Sequence, residues 1–330
     1  MPPVPVRRAT LATLAVLLAL GALSTCFAPY LYPELEYRLH GRELTVLPRP
    51  TVAVAGRWAD DYFVIEQIDG GTWAIGEPRY YQGNYSYLIL GERRAVLYDA
   101  GTGTRDIVPI ARSLTSLPIT VIPSHLHFDH VGALGRFDTT ALLDVPALRE
   151  RVRDSRLTLE RYEFLGFVQD LPTPSFRVDE WWAADSTVDL GGRRLRVLST
   201  PGHTPTSLSL YDTQNKQAFV GDFMYPGSLY VFLPGASRAA YLATTRRLLA
   251  LLDPATRLYT AHMADPPAPV RAPVLAVADL RALERSLVGI QRGTLATLRI
   301  EGLPTIASYP RVYPVSGPVT LATGFPWNNR

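Results

Sequence analysis

Ser124-His125-Leu126-His127-Phe128-Asp129-His130 is the most informative stretch of this chain, and it directly follows an apolar run at 119–122. Four potential metal ligands lie within six residues, and three of the chain's six histidines are among them. Two more histidines, His203 and His262, follow strand-like segments, so only His40 has no predicted role. Because neutral imidazole binds borderline cations at physiological pH, the pattern predicts that nearly all the histidine serves one metal site.

The spacing of these ligands predicts how they point. Side chains alternate along a strand with a period of two, so His125 and His127 at a strand end face the same side and reach one cation. Asp129 and His130 follow where the chain must turn, so they project differently and would bind a second cation. Three further candidate ligands follow other predicted strands, and these are His203, Asp222 and His262. We expect all seven at one edge of a rigid sheet scaffold.

The remaining pattern predicts an α/β fold, with two groups of strands interleaved with helices in a sandwich of two sheets. Strands are predicted at 51–68, 84–99, 119–123, 141–145, 186–189, 193–199, 206–211, 217–221 and 257–261. Helices are predicted at 106–114, from 131, at 146–154, at 238–252 and at 274–289. The proline-rich stretches 264–273 and 302–318 are predicted to be loops or a wrapped tail.

Bulk composition excludes one class of partner. The chain has 330 residues, 47% of them hydrophobic, which is enough for a large buried core. The net charge is +3 and the pI is about 9.0, but Lys and Arg are scattered and form no dense run. We therefore predict no nucleic-acid partner.

The N-terminus predicts export. Arg7 and Arg8 precede an uncharged segment at 9–33, which is typical of a secretory signal and also exceeds the roughly 20 residues that span a bilayer. Cys26, the only cysteine, lies in a segment that resembles a bacterial lipobox, although Thr25 departs from that pattern. Residues 1–33 are therefore predicted to be a signal peptide, a membrane anchor or a lipoprotein anchor, and the protein to be exported, periplasmic or membrane-anchored in a bacterium.

The ligand pattern resembles that of the metallo-β-lactamase-fold hydrolases over about residues 55–265, and Asp99 matches the first short motif of that superfamily. The resemblance implies an αββα sandwich at 50–330, with a proline-rich C-terminal extension from about 265. It also implies two zinc ions. One would be held by His125, His127 and His203, the other by Asp129, His130 and His262, with Asp222 bridging. Nitrogen and oxygen ligands without thiolate suit zinc, with iron or manganese as alternatives.

The resemblance also implies a chemistry, in which a hydroxide shared by two metals attacks a substrate carbonyl. Asp129 would orient that nucleophile and carry its proton, and Asp99 would orient a ligand histidine. Tyr225 resembles a tyrosine that holds the substrate oxygen in quorum-signal lactonases, with a packed aromatic as the alternative. Four more aromatic side chains are candidates for an apolar substrate pocket or for core packing, and these are Trp181, Trp182, Tyr230 and Phe232.

Departures from the family pattern narrow the choice among the reactions that the family catalyses. Position 222 is Asp and not the Cys of the commonest zinc β-lactamases, and the segment 221–234 resembles a branch with acyl-CoA thioesterase activity. The sequence therefore predicts hydrolysis of an ester, thioester or lactone in a small-molecule acyl substrate. The alternatives are a β-lactamase, a glyoxalase II-like hydrolase, and a zinc-binding exported protein without enzymatic activity.

Overall fold

The structure, a computed structural model, describes residue 30 and residues 46–263, 269–298 and 311–323. The strands are, in chain order, β1 Arg57–Trp58, β2 Val64–Asp69, β3 Thr72–Glu77, β4 Asn84–Leu90, β5 Ala95–Tyr98, β6 Ile119–Ile122, β7 Thr139–Asp144, β8 Arg156–Thr158, β9 Ser175–Arg177, β10 Glu180–Ala183, β11 Thr187–Asp189, β12 Arg194–Ser199, β13 Leu208–Asp212, β14 Gln217–Gly221, β15 Gly227–Val231, β16 Arg257–Thr260, β17 Val274–Ala276, β18 Arg311–Ser316 and β19 Val319–Thr323. The helices are α1 Val108–Leu114, α2 Phe128–Val131, α3 Pro146–Arg149, α4 Arg161–Phe164, α5 Arg238–Leu251 and α6 Val277–Arg292.

Two large sheets form the centre of the fold. The first has the order β1-β2-β3-β4-β5-β6-β7-β10, and the second has the order β11-β12-β13-β14-β16-β17. In the first sheet β5, β6, β7 and β10 run parallel, and in the second β14 and β16 do. The carboxyl ends of parallel strands meet at one edge, which is where ligand-bearing loops of such sheets lie.

Three apolar cores show the layering. Alternate strand residues of the first sheet, such as Leu97 and Val121, pack outward with Ala111 of α1. The other faces of both sheets meet in a middle core that includes Tyr98 and Phe219. A third core lies outside the second sheet and includes side chains of α5 and α6. This αββα arrangement confirms the predicted sandwich, and alternation along each strand explains why residues two apart share a core.

Two predicted segments differ from the structure. The helix predicted at 146–154 ends at Arg149, and Asp154 and Ser155, with φ values of 49° and 60°, turn the chain into β8. The prediction of a helix that starts at 131 is wrong, because the single-turn helix α2 has His127 as its N-cap and ends at Val131, and only a short 3-10 turn at Leu134–Arg136 follows.

The C-terminal region differs from the prediction in two places. The helix predicted at 274–289 begins only at Val277, because residues 274–276 form β17 beside β16 in the second sheet. Part of the stretch at 302–318 that was predicted to be a loop or wrapped tail forms β18, which makes a small third sheet with β19 and β15. The leader at 1–33, including Cys26, lies outside the described residues except for Tyr30. Within the part of the chain that the structure describes, no helix is both long and apolar enough to cross a membrane.

Candidate metal centre

Three histidines converge in a first cluster at the carboxyl end of β6. Leu126 and Phe128 are buried in the outer core, so the intervening His127 and its neighbour His125 turn the other way. His125 Nε2 lies 2.9 Å from His127 Nδ1, and His203 Nε2 lies 3.1 Å from the same atom. All three side chains are buried. Their ligand atoms could hold one ion, as the sequence predicted.

A second cluster lies beside the first. His130 Nε2 is 3.4 Å from Asp129 Oδ2 and 3.4 Å from Asp222 Oδ1. His262 Nε2 is 3.0 Å from Asp222 Oδ1 and 3.6 Å from Asp129 Oδ2. Asp222 Oδ2 is also 3.7 Å from His203 Nε2 in the first cluster. The Asp222 carboxylate therefore lies between the two groups, where a bridging ligand is expected.

These residues fit metal ions. His130 Nε2 and Asp222 Oδ1 are buried and have no hydrogen-bond partner within the described residues, although such atoms in protein interiors are usually paired. Three sets of three ligand atoms each lie within 4.8 Å of one another, and the three sets together use all seven predicted ligands. Five imidazoles and two carboxylates without a thiolate suit a borderline divalent cation.

In four of these histidines the Nδ1 atom has a hydrogen-bond partner outside the ligand set, which fixes the orientation of each ring. His130 Nδ1 donates to Asp99 Oδ2 at 2.9 Å, and His203 Nδ1 donates to the Tyr230 carbonyl at 2.9 Å. His262 Nδ1 lies 3.3 Å from the Gln82 carbonyl, and His125 Nδ1 lies 3.0 Å from Ser124 Oγ. Such outer bonds leave the remaining nitrogen as the ligand. The structure thus places Asp99 where it would orient a ligand histidine.

Burial and neighbouring charges shift the pKa values of the candidate ligands. Burial lowers the pKa of His127 to about 3, and His203 beside it acts in the same direction, so His127 is neutral at pH 7. Burial also lowers the pKa of His125. Burial opposes charge at His130, but the carboxylates of Asp129, Asp99 and Asp222 raise its pKa well above the usual value. A proton on His130 therefore balances part of the negative charge that a cation would meet.

Asn84 is a site residue that the sequence did not predict. Its Nδ2 donates to the Asp129 backbone carbonyl at 3.1 Å and to Asp129 Oδ2 at 3.0 Å. Asn84 also forms an isolated antiparallel bridge with His262. Asn84 begins β4 and precedes a run of buried residues, so its sequence context is that of a strand end, and only the tertiary structure brings it to the ligands.

Glu77 is the second residue that the sequence did not predict. It ends β3 and is 2% exposed. Glu77 Oε2 accepts hydrogen bonds from the Tyr62 hydroxyl at 2.9 Å and the Thr102 hydroxyl at 2.7 Å, and Oε1 accepts one from the Thr102 N–H at 3.0 Å. Burial raises its pKa to about 7 against these bonds. Glu77 thus anchors the loop that follows Asp99.

The predicted aromatic residues have different positions. The Tyr225 ring lies 4.9 Å from the His262 ring, and its hydroxyl donates to the Ser228 carbonyl at 2.6 Å. The Tyr230 and Phe232 rings are 5.3 Å apart, and the Tyr230 carbonyl is the partner of His203. The structure therefore places the Tyr225 ring against one candidate ligand and the Tyr230 backbone beside another, while Phe232 contacts the Tyr230 ring.

Trp181 and Trp182 lie in β10 at the end of the first sheet, and the structure does not bring them to the ligands. Trp182 is 5% exposed, packs in the middle core and donates from Nε1 to Glu180 Oε2 at 2.7 Å. Trp181 packs on the outer core, with the Arg149 guanidinium 4.6 Å from its ring centre. Both faces of this strand are core, so packing accounts for both side chains, against the substrate-pocket interpretation.

Comparison with known proteins agrees with this geometry. A sequence profile described as the Metallo-beta-lactamase superfamily matches residues 80–262, more than half of the chain. An acyl-coenzyme A thioesterase, MBLAC2, from Gallus gallus is 27% identical over 219 residues, which cover 58% of this chain and 77% of the relative. A probable metallo-hydrolase, YqgX, from Bacillus subtilis is 22% identical over 178 residues, which cover 54% of this chain and 83% of the relative.

Solved structures share the fold. A metallo-beta-lactamase from Pontibacter korlensis has a TM-score of 0.51 and 19% identity, covering 68% of this chain and 99% of that one. An archaeal superfamily protein from Sulfolobus tokodaii has a TM-score of 0.50 and 18% identity, covering 72% of this chain and 92% of that one. The profile match, the fold and the clustered ligands lead to one conclusion. The chain belongs to the metallo-beta-lactamase superfamily and is a metallo-hydrolase of it.

Proposed function

We propose that this protein is a hydrolase that uses two zinc ions to cleave an ester, thioester or lactone bond. Among these three bonds, we propose the thioester of an acyl substrate. The observation that carries the proposal is the pair of buried ligand clusters on either side of Asp222. The similarity to acyl-coenzyme A thioesterases over 58% of the chain favours the thioester among these bonds.

The ligands divide between two ions. His125, His127 and His203 would hold one, and Asp129, His130 and His262 would hold the other, with Asp222 contacting both. Bound zinc supplies Lewis-acid chemistry here, because it polarises a carbonyl group and makes water a nucleophile at neutral pH.

The protein's own groups orient the substrate and move the proton. Burial would raise the pKa of Asp129, but the imidazole of His130 holds it well below its usual range. The carboxylate is therefore ionised, and Asn84 fixes its position by donating to Oδ2. Asp129 would take the proton of the attacking water and pass it to the leaving sulfur or oxygen, as a general base and then a general acid do.

Exposed aromatic side chains beside the metal centre would contact the acyl group. Tyr81 is 56% exposed and Tyr230 is 38% exposed, which is unusual for rings of this size in the described residues. Partial burial, the Asp129 carboxylate and the Tyr230 hydroxyl raise the pKa of Tyr81, so its hydroxyl stays neutral beside the metal centre. These rings, with Phe232 behind Tyr230, would bind an apolar chain and leave the carbonyl at the metals.

The location of the enzyme is proposed from the leader alone. The uncharged segment at 9–33 after two arginines would export the protein or anchor it to a membrane. The substrate would then be an acyl compound available outside the cytoplasm or at the membrane surface.

A substrate screen tests the proposal. The zinc-loaded protein is assayed against acyl thioesters, acyl lactones and a chromogenic cephalosporin, and kcat/KM is compared. We expect the highest value for a thioester, and loss of one metal and most activity in Asp222→Ala. Preference for the cephalosporin would instead support a β-lactamase. Stoichiometric zinc without turnover of any of the three would support a zinc-binding protein, and full activity in Asp222→Ala would contradict the two-metal assignment.

A further inference from the structure

The last described strands, β18 and β19, lie beyond the family match at 80–262 and have no role in the proposed reaction. β19 pairs in parallel with β15, with Gly227 opposite Val319 and Val231 opposite Thr323. The small sheet has the order β15-β19-β18, so β15 is an edge strand. One edge of β15 is bonded to β19, and the other edge is available to neighbouring groups.

The hydrogen bonds show which backbone groups of β15 face each way. The Gly227 N–H donates to the Pro318 carbonyl at 3.0 Å, so residue 227 faces β19. Backbone groups of alternate strand residues point to opposite edges, so residues 229 and 231 also face β19 and residues 228 and 230 face outward. The structure agrees, because the Ser228 carbonyl accepts from the Tyr225 hydroxyl and the Tyr230 carbonyl accepts from His203 Nδ1.

The hydrogen bond to the Tyr230 carbonyl determines which nitrogen of His203 can bind a metal ion. A neutral imidazole that donates from Nδ1 has its lone pair on Nε2. His203 Nε2 is the atom that lies 3.1 Å from His127 Nδ1 in the first cluster. If the carbonyl of Tyr230 moved, the ring of His203 would lose the partner that fixes its tautomer and its angle. Outer-sphere partners of this kind typically contribute about 10- to 100-fold to metal affinity.

Packing couples β15 tightly to β19. Leu229 and Val231 of β15 are each 0% exposed, as is Leu321 of β19, and Val319 is 1% exposed. All four belong to the third core, together with side chains of α5 and α6. A change in β19 is therefore transmitted to the register of β15, and through the outer edge of β15 to His203.

We propose that the C-terminal strand β19 is a positioning element of the metal centre, which holds β15 where the Tyr230 carbonyl orients His203. This proposal rests on the metal centre of the proposed function and is independent of the substrate class. It assigns a role in metal binding to a part of the chain that the superfamily match does not cover.

Two proline variants in the same small sheet test it. The Pro318 carbonyl faces β15, and backbone groups alternate along the chain, so the backbone groups of Ala322 also face β15. Ala322→Pro therefore removes a ladder bond between β19 and β15. Val312 of β18 lies opposite Ala322, and its carbonyl accepts from the Leu298 N–H, so its backbone groups face away from β19. Val312→Pro is therefore a matched control that leaves the ladder intact.

Each variant is loaded with Co²⁺, and affinity is measured by chelator competition alongside the Co²⁺ absorption spectrum and near-UV circular dichroism. We expect Ala322→Pro to bind one of the two ions about tenfold or more weakly, with a changed spectrum, and Val312→Pro to match the wild type. A folded Ala322→Pro protein with wild-type affinity and spectrum would overturn the proposal, as would equal losses in both variants.

If Ala322→Pro does not fold, Ala322→Gly replaces it under the same criteria, because glycine keeps the N–H and only loosens the strand. These measurements use no substrate, so a failure of the thioesterase assay leaves their outcome unaffected.

Discussion

The stability of this protein should depend on pH through Glu77, and the variant Glu77→Gln isolates that dependence. Glu77 is 2% exposed and accepts three hydrogen bonds from Tyr62 and Thr102. Burial is the main reason why its pKa rises from 4.5 to about 7, and the nearby charge of Asp129 acts in the same direction. Glutamine has nearly the same shape and cannot titrate, so its contribution is independent of pH.

The sign and size of the effect follow from linkage. Between pH 4.5 and about 7 the folded protein keeps a proton on Glu77 that the unfolded chain has lost. The stabilisation is therefore fully present below pH 4.5 and is lost as the pH rises through about 7. At about 1.4 kcal/mol for each pH unit, the difference between these pKa values corresponds to about 3 kcal/mol. The wild type should lose this amount relative to Glu77→Gln across the window.

Urea unfolding at a series of pH values measures the free energy of unfolding of both proteins. Both are kept metal-free with a chelator, so that titration of the metal ligands cancels in the difference. Glu92→Gln, in the exposed turn before β5, is the control for removing one surface carboxylate. The reasoning would be refuted if the difference in the free energy of unfolding between wild type and Glu77→Gln stayed constant from pH 4.5 to 7. It would also be refuted if the wild type became more stable relative to Glu77→Gln over this range.

Three further outcomes are expected. Asn84→Ala removes both bonds to Asp129 and should weaken the binding of one metal about 10- to 100-fold in a chelator competition; unchanged affinity would contradict this. Arg193→Met leaves Asp212, 0% exposed, without its 2.7 Å ion pair and should cost about 3–5 kcal/mol in urea unfolding while kcat/KM of the folded protein persists; an unchanged midpoint would contradict it. Chelation of zinc present at about 1,000 times its Kd should lower the free energy of unfolding by about 4 kcal/mol, and an unaltered melting temperature would count against folded-state binding.

The sequence was sufficient to predict which seven side chains would cluster, because their positions follow from strand ends. β6 ends just before the histidine stretch, Asp222 directly follows β14, and His262 lies two residues after the end of β16. Since β14 and β16 run parallel, their carboxyl ends lie side by side. A local pattern of apolar strand and following polar residue therefore contains the information that places these ligands together.

The supporting residues could not be predicted, because their contacts are long-range or involve the backbone. Asn84 meets Asp129 across 45 positions of sequence, and the partner of His203 is the carbonyl of Tyr230, which every residue type has. The C-terminal strands escaped prediction for another reason. Pro314 lies inside β18, and an edge strand tolerates a proline that the sequence pattern assigns to a loop.

The two sheets meet beneath the ligands through bonds that do not depend on a cation. The Tyr98 hydroxyl donates to the Leu208 carbonyl at 2.7 Å, and the Tyr87 hydroxyl donates to the Thr260 carbonyl at 2.7 Å, each joining the first sheet to the second. Both tyrosines are fully buried, so these bonds hold the ligand-bearing ends of the two sheets at a set spacing. His125 follows the first sheet, and Asp222 and His262 follow the second, so a bound ion links the same two layers. Because neither of these two bonds involves a metal ligand, metal binding should add stability to an interface that the tyrosines already hold, and chelation should lower the stability of the fold without abolishing it.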